Sequence, residues 1–345
     1  MDASSRKLLI FPIPSVYKPK RTVCEPTRFC CREIDLQQLS LETTPRFVLH
    51  FSLTRTDPGH SEFFREVALT ALTRLSGRLY VISAYADQWA LITGASSGIG
   101  AEFARRLASR GMHLILIARR KDLLEQLAVE LHTAHGTKCE IIVSDLSDPA
   151  QPAAIAEEVA RRQINVELLI NNAGFGYVSE IETVDLPRVE EMIQVNITAL
   201  TKLTYRFLGG MMQRGHGGVI NTSSVAAFQP VAYMGAYAAS KAYVLHFSEA
   251  LWAEARESGV TVLALCPGPT RTDFFDVAGA KGWLTKKRSQ SAEEVVRIAI
   301  RALEKKKQYV VCGWINYILS LAVRLANRRT VVRESMKFFR PAKAK

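Results

Sequence analysis

Residues 89–312 predict a doubly wound α/β domain, a parallel sheet with helices on both faces, on three observations. Short apolar runs alternate with longer segments of helical period, the pattern of stacked βαβ units whose strands are buried on both faces. A glycine-rich turn, Gly94-Ala95-Ser96-Ser97-Gly98-Ile99-Gly100, stands where the first run ends and the first helical pattern begins. The string Tyr237-Ala-Ala-Ser240-Lys241 lies well downstream and sets a phenol and an ammonium on one face of a helix.

Taken in order, Trp89–Thr93 is the first strand, and the helix after the glycine turn runs to about Arg110. The aliphatic runs 114–118, 140–143 and 168–171 read as the next strands, with helices near 122–131 and 153–162 between them. A long helix over 186–212 precedes the strand 219–222, and the next helix carries Tyr237 and Lys241. The strand 260–266, the helix Ala292–Glu304 and a short strand near 309–312 complete the body. No fixed-period internal repeat interrupts this alternation.

The flanks differ in character. Residues 1–88 show little periodicity, and prolines recur at 12, 14, 19, 26, 45 and 58, so they read as an N-terminal extension of little regular structure. Phe64, Val67, Ala68 and Ala71 predict one short amphipathic helix near 61–75. Residues 313–345 read as a basic amphipathic helical tail. The chain carries a net charge of +12, and from Lys281 to Lys345 there are 17 Lys or Arg against 4 Glu, so almost all the excess sits at this end. Such a tail could touch an anionic membrane surface, a polyanion or only solvent.

With 48% hydrophobic and 23% charged residues the chain is globular in composition. Its six cysteines follow no disulfide framework or metal-site spacing, Cys24, Cys30 and Cys31 included, so no metal is expected and a reducing, cytoplasmic setting is. Pro12 and Pro14 break the one apolar run near the start, against a secretory leader, and no apolar stretch is long enough to span a bilayer. No motif points to nucleic acid.

The chemistry concentrates at four places. The glycine turn lets backbone approach a pyrophosphate at a helix N-terminus, whose free N–H groups and positive partial charge favour an anion. At the end of the second strand, where an acidic residue would bond the ribose hydroxyls of NAD, this chain has Ala118 followed by Arg119 and Arg120. Guanidinium groups there suit a 2′-phosphate, so NADP(H) is the expected cofactor. Tyr237 is the candidate general acid/base, its phenol made useful near neutral pH by the Lys241 cation. Aromatic and aliphatic residues at Phe274, Phe275, Val277, Trp283 and Leu284, followed by Lys286, Lys287 and Arg288, make 270–290 a candidate apolar lid with a basic rim.

Together, the turn from Thr93 to Gly100, Asp145-Leu146, Asn171-Asn172-Ala173-Gly174, Asn196, Ser224, Tyr237 with Lys241, and Pro267-Gly268 resemble the short-chain dehydrogenase/reductase family, in the ketoacyl-reductase and steroid-dehydrogenase-like group. The resemblance covers roughly residues 89–272 and implies a Rossmann fold. It also implies roles. Ser224 would bond the substrate carbonyl, Tyr237 would pass the proton, Lys241 would hold the nicotinamide ribose, and Asn196 would position a water beside Lys241. Gly94, Ser96, Ser97, Gly98, Ile99, Gly100, Arg119, Arg120, Asp145, Leu146, Asn172, Ala173, Gly174, Pro267, Gly268 and Thr270 would line the cofactor cleft, with Tyr237 and Lys241 at its nicotinamide end. Ser223, Tyr233, Tyr243 and Cys266 are read as structural neighbours.

The expected activity is NADP(H)-dependent hydride transfer to or from a small-molecule carbonyl or secondary alcohol, a lipophilic ketone or 3-oxoacyl compound in lipid metabolism. Oxidation of a small 3-hydroxy acid and nucleotide sensing without turnover are the alternatives. A homo-oligomer is expected. For the tail, docking on the body and peripheral membrane contact both stay open.

Overall fold

The computed structural model describes residues 85–279 and 289–340. The helix expected near 61–75, Cys24, Cys30, Cys31, Lys281, Trp283, Leu284, Lys286, Lys287 and Arg288 lie outside the described residues.

Seven parallel strands form one sheet in the order β3-β2-β1-β4-β5-β6-β7, so the winding direction reverses between β1 and β4. They are β1 Trp89–Thr93, β2 His113–Ala118, β3 Cys139–Val143, β4 Val166–Asn171, β5 Gly218–Thr222, β6 Thr261–Cys266 and β7 Tyr309–Val311. Register is direct: Leu91 faces Ile115 on one side and Leu169 on the other. The central strands are apolar at nearly every position because helices cover both sheet faces, which removes the inside–outside alternation of a half-exposed strand.

One face is covered by α1 Gly98–Ala108, α2 Lys121–His135 and α8 Ala292–Glu304, around a core that includes Phe103, Leu116, Leu124, Ile170 and Val296. α8 starts where the Ser291 hydroxyl accepts the Glu294 N–H (3.1 Å), and it buries Val295, Val296, Ala299, Ile300 and Leu303 along one stripe. Burying each such large side chain stabilises the fold by about 1.5–3 kcal/mol. The other face is covered by α3 Gln151–Arg161, α4 Leu186–Ile193, α5 Leu200–Arg214 and α6 Gly235–Ala255, around Leu91, Ile117, Leu169, Leu203, Met211 and Val262.

The long helix expected over 186–212 is one continuous rod, but residues Gln194–Ala199 between α4 and α5 form a π-helical turn. Such a turn inserts an extra residue per hydrogen-bonded ring and re-aims one side chain, here Asn196, into the interior. A short α7, Phe274–Val277, follows β6. The tail folds as two helices, α9 Trp314–Leu325 and α10 Arg328–Phe339, separated where Ala326 turns extended and the Asn327 side chain accepts the Arg329 N–H. No helix among the described residues is long and apolar enough to cross a membrane.

Candidate functional site

The reversal between β1 and β4 opens a crevice at the carboxyl ends of the strands, the place where open α/β sheets bind ligands. A cavity of about 490 Å³ occupies it and extends from Arg120 at one end to Phe339 at the other.

At the first end the glycine turn leaves β1 with Gly94 at φ +67° and Gly98 at φ +55°, in the left-handed region that favours glycine. A Cβ on Gly100 would stand 2.2 Å from the Gly94 carbonyl oxygen, so no side chain fits there without moving backbone. The turn is held from β4: Thr93 Oγ1 accepts the Asn172 and Ala173 N–H groups (both 3.0 Å), while Asn172 Nδ2 donates to the Thr93 carbonyl (3.2 Å). In the sequence Thr93 only opens the turn motif, with no role for its side chain, and its hydroxyl at a strand end is the one signal of this stitching. Ser97 precedes α1 in extended conformation with its side chain making no cap bond, leaving the first-turn N–H groups directed at the cavity.

Arg120 reaches over this turn. Its Nη2 donates to Ser97 Oγ at 2.8 Å and to Ser96 Oγ at 3.0 Å. Arg119 lies 3.6 Å from Asp145 across exposed surface. Burial alone would raise the Asp145 carboxyl, but the Ser147 N–H and hydroxyl and the Arg119 charge outweigh it and hold it below the usual range. Leu146 lines the cavity and is also a member of the core beneath. The two arginines and two serines thus gather donors at one corner of the cavity, with Asp145 facing Arg119.

At the other end α6 presents Tyr237 and Lys241 to the cavity, both almost wholly buried. Lys241 Nζ donates to the Thr222 carbonyl (2.8 Å), and burial lowers its pKa to about 8. Burial pushes the Tyr237 phenol up to about 12, against a hydrogen bond with Ser224 that pulls the other way. The expected lowering by the lysine is absent from this shift: Lys241 Nζ stands 5.8 Å from the Tyr237 ring centre, and desolvation, opposed only by the Ser224 hydrogen bond, sets the direction. Ser224 caps the 3-10 turn Val225–Phe228, its Oγ accepting the Ala226 N–H at 3.1 Å. Asn196 is fully buried and grips the Phe175 backbone, donating to its carbonyl (3.0 Å) and accepting its N–H (3.1 Å); it also donates to Ser240 Oγ. Gly174 lies between them, since a Cβ there would meet Asn196 Oδ1 at 2.8 Å and Lys241 Nζ at 3.3 Å. Thr222 belongs to the cavity lining, while its Oγ1 is buried without a protein partner.

The neighbours behave as structural groups. Ser223 Oγ donates to the Lys241 carbonyl (2.7 Å), tying β5 to α6, and Cys266 is buried in β6 with its thiol pushed far up by desolvation. Tyr243 stacks on Phe247 and bonds Thr201, away from the cavity.

Pro267, Gly268 and Thr270 line the cavity as well, and here the tail docks on the body. A Cβ on Gly268 would stand 2.3 Å from Asn316 Nδ2 of α9, so the tail packs directly beneath the cleft. Gln290 and Pro269–Arg271 pin the base of the 270–290 segment by backbone bonds of 2.9 and 3.0 Å. Phe274 then folds back with its ring 5.5 Å from that of Tyr237. Phe175, Val231, Met234 and Phe339 make the remaining wall apolar, and Arg188, stacked 4.0 Å over Phe175 and paired with Glu191 at 2.6 Å, stands at its mouth. Those residues carry no local sequence signal, because the wall assembles from distant segments. Among the described residues no cluster of His, Cys, Asp or Glu could hold a metal ion.

Similarity to known proteins agrees with this architecture. The very-long-chain 3-oxoacyl-CoA reductase of Anas platyrhynchos is 32% identical over 241 residues, 67% of this chain and 75% of the relative. The inactive hydroxysteroid dehydrogenase-like protein 1 of Homo sapiens is 33% identical over 208 residues, 60% of this chain and 62% of its own. Among solved structures, a short-chain dehydrogenase from Sphingobium yanoikuyae in complex with NADPH superposes with a TM-score of 0.64 at 33% identity, covering 75% of this chain and 98% of that one. The short chain dehydrogenase family model matches residues 88–281, more than half of the chain and the span that builds the crevice, and the protein therefore belongs to the short-chain dehydrogenase family.

Proposed function

We propose that this protein is an NADP(H)-dependent oxidoreductase that interconverts a lipophilic ketone or 3-oxoacyl compound and the corresponding secondary alcohol. One observation carries the reading: a single cavity joins the Ser96, Ser97, Arg119 and Arg120 corner to Ser224, Tyr237 and Lys241, with an apolar wall beyond. The glycine cradle and the phosphate-matched corner fit a 2′-phosphorylated dinucleotide, which when bound supplies the hydride. The NADPH held by the Sphingobium structure supports the same choice.

In the reducing direction, Ser224 Oγ donates to the substrate carbonyl and polarises it, and Tyr237 transfers its proton to that oxygen as the carbon is reduced. A phenol raised to about 12 is fully protonated at neutral pH, which suits an acid. Lys241 supplies the nearby cation and contacts the ribose. Asn196 holds Phe175 at the junction of the two halves, so that Lys241 and the substrate wall keep one geometry.

The apolar wall favours this substrate class over a small 3-hydroxy acid, because Arg188, the cation at the mouth, is already paired with Glu191. The complete set Asn196, Ser224, Tyr237 and Lys241 favours turnover over nucleotide sensing, despite the human relative named inactive. We also read the exposed side of α9, with Trp314, Ile318, Leu321 and Leu325 beside Arg324, Arg328 and Arg329, as a face for anionic lipid. The deciding experiment is a panel of ketones, 3-oxoacyl thioesters, secondary alcohols and 3-hydroxy acids, assayed with NADPH and NADH in parallel. Turnover of apolar carbonyls with NADPH is expected; turnover confined to 3-hydroxy acids, or to NADH, would overturn the assignment.

A further inference from the structure

The tail helix α10 reaches the substrate end of the cavity through Phe339, 102 residues beyond Tyr237. Phe339, in its last turn, lines the cavity and packs against the apolar cluster formed by Met192, Val231, Met234, Tyr237 and Ala238. Two polar contacts fasten the helix to the turn that leads into α6. Ser335 is buried, and its Oγ accepts the Ala232 N–H at 3.0 Å while donating to the Val332 carbonyl at 2.7 Å. Arg340 Nε donates to the Tyr233 hydroxyl at 3.1 Å.

The turn so gripped is itself constrained. Tyr233 holds φ at +62°, a conformation that a bulky aromatic adopts only when its surroundings impose it, and its carbonyl accepts the Ser179 N–H (3.1 Å) from the segment that follows β4. Val231 and Met234, on either side, are wall residues, and Tyr237 follows one helical turn later. Anything that seats or unseats α10 therefore acts on the substrate wall and leaves the glycine turn and the Arg120 corner, at the far end of the cavity, untouched.

We propose that α10 is the specificity-determining wall of the substrate chamber, with Phe339 setting how bulky a carbonyl substituent is admitted and Ser335 and Arg340 holding the helix in place. An aromatic side chain cannot shrink from an incoming group as a surface lysine can, so a clamped Phe339 excludes volume that alanine would release. This rests on the ketone-reductase reading above, and its test separates the two.

The test compares acetophenone with benzophenone as probes in the full chain with NADPH. Phe339→Ala is expected to raise kcat/KM for benzophenone relative to acetophenone by tenfold or more, and Phe339→Trp to lower that ratio, with NADPH affinity unchanged in both. Ser335→Ala should move the ratio in the same direction as Phe339→Ala by a smaller factor. Phe338→Ala, on the half-exposed side of the same helix, should not move it. Binding of both ketones to Tyr237→Phe holoprotein by calorimetry, with and without Phe339→Ala, reads the wall in the absence of turnover. If the parent turns over no ketone or 3-oxoacyl thioester of the panel above yet the binding ratio shifts with residue 339, the reductase reading fails and the wall stands. Unchanged ratios in both Phe339 variants, in turnover and in binding, would overturn the proposal.

Discussion

The two ends of the cavity are built by different means. At the cofactor end, positions are dictated by backbone: glycines at positive φ, a Gly100 with no room for one carbon, and Thr93 and Asn172 stitching adjacent strand ends together. At the substrate end, positions are dictated by side chains from separate segments, with Phe175, Met234, Phe274 and Phe339 converging on the cluster that holds Tyr237. Backbone cannot yield by a few tenths of an ångström without disturbing its hydrogen bonds, whereas side-chain tips can change rotamer. The contrast explains how one end can hold an invariant ligand while the other is free to select among substrates.

The largest effect expected anywhere in the cavity lies at its junction. Tyr237→Phe keeps the ring but removes the proton, so turnover should fall by about 10²–10⁴ while NADPH affinity hardly changes. Stopped-flow reduction and equilibrium binding read the two quantities separately, and near-normal turnover would show that the proton comes from elsewhere.

The cofactor end is broken next by charge. Arg119→Ala with Arg120→Ala removes charge-assisted bonds of about 1.5–3 kcal/mol each, so NADPH binding should weaken by at least about tenfold. NADH binding should stay nearly constant, and equal losses for both cofactors would remove the phosphate from this corner.

Paired glycine substitutions sharpen the comparison most directly. Gly100→Ala forces its Cβ against the Gly94 carbonyl at 2.2 Å, and it should cost about 1–3 kcal/mol of stability together with cofactor affinity. Gly176→Ala meets the Phe274 Cζ at 2.8 Å and the Met234 Cε at 3.1 Å, side-chain ends that yield by a change of χ1 in the phenylalanine and of the terminal torsion in the methionine, so ketone preference should shift with little change in Tm. Denaturation and cofactor titration of both variants decide it; equal losses would erase the distinction between the two ends.

The pH dependence follows from the two buried groups. With Lys241 lowered to about 8 and Tyr237 raised to about 12, both are protonated at pH 7, and the lysine is the first to lose its proton as pH rises. kcat/KM for reduction should therefore be level up to pH 7 and fall by about tenfold per unit well above pH 8. A fall only above pH 10 would separate Lys241 from the rate.

The smallest effect concerns the exposed face of α9. Sedimentation with anionic liposomes should carry down more of the full chain than of one ending at Gly313, the difference fading with salt. Equal sedimentation at low salt would leave α9 without a lipid partner.

By itself the sequence determined the wound sheet and the cofactor end, because both are written in local signals. Runs such as Leu114 to Ile117 announce buried strands, and the glycine spacing announces a turn that only glycine can make. The order of Asn196, Ser224, Tyr237 and Lys241 was legible for the same reason, each being short in range or fixed in spacing. The sequence did not determine the sign of the Tyr237 shift, since a cation four residues away is visible in the string and the burial that sets the shift is not. Nor did it place Asn316 beneath Gly268 or Phe339 beside Tyr237. Those contacts join residues 48 and 102 positions apart, and only the packing of α9 and α10 against the finished sheet brings them together.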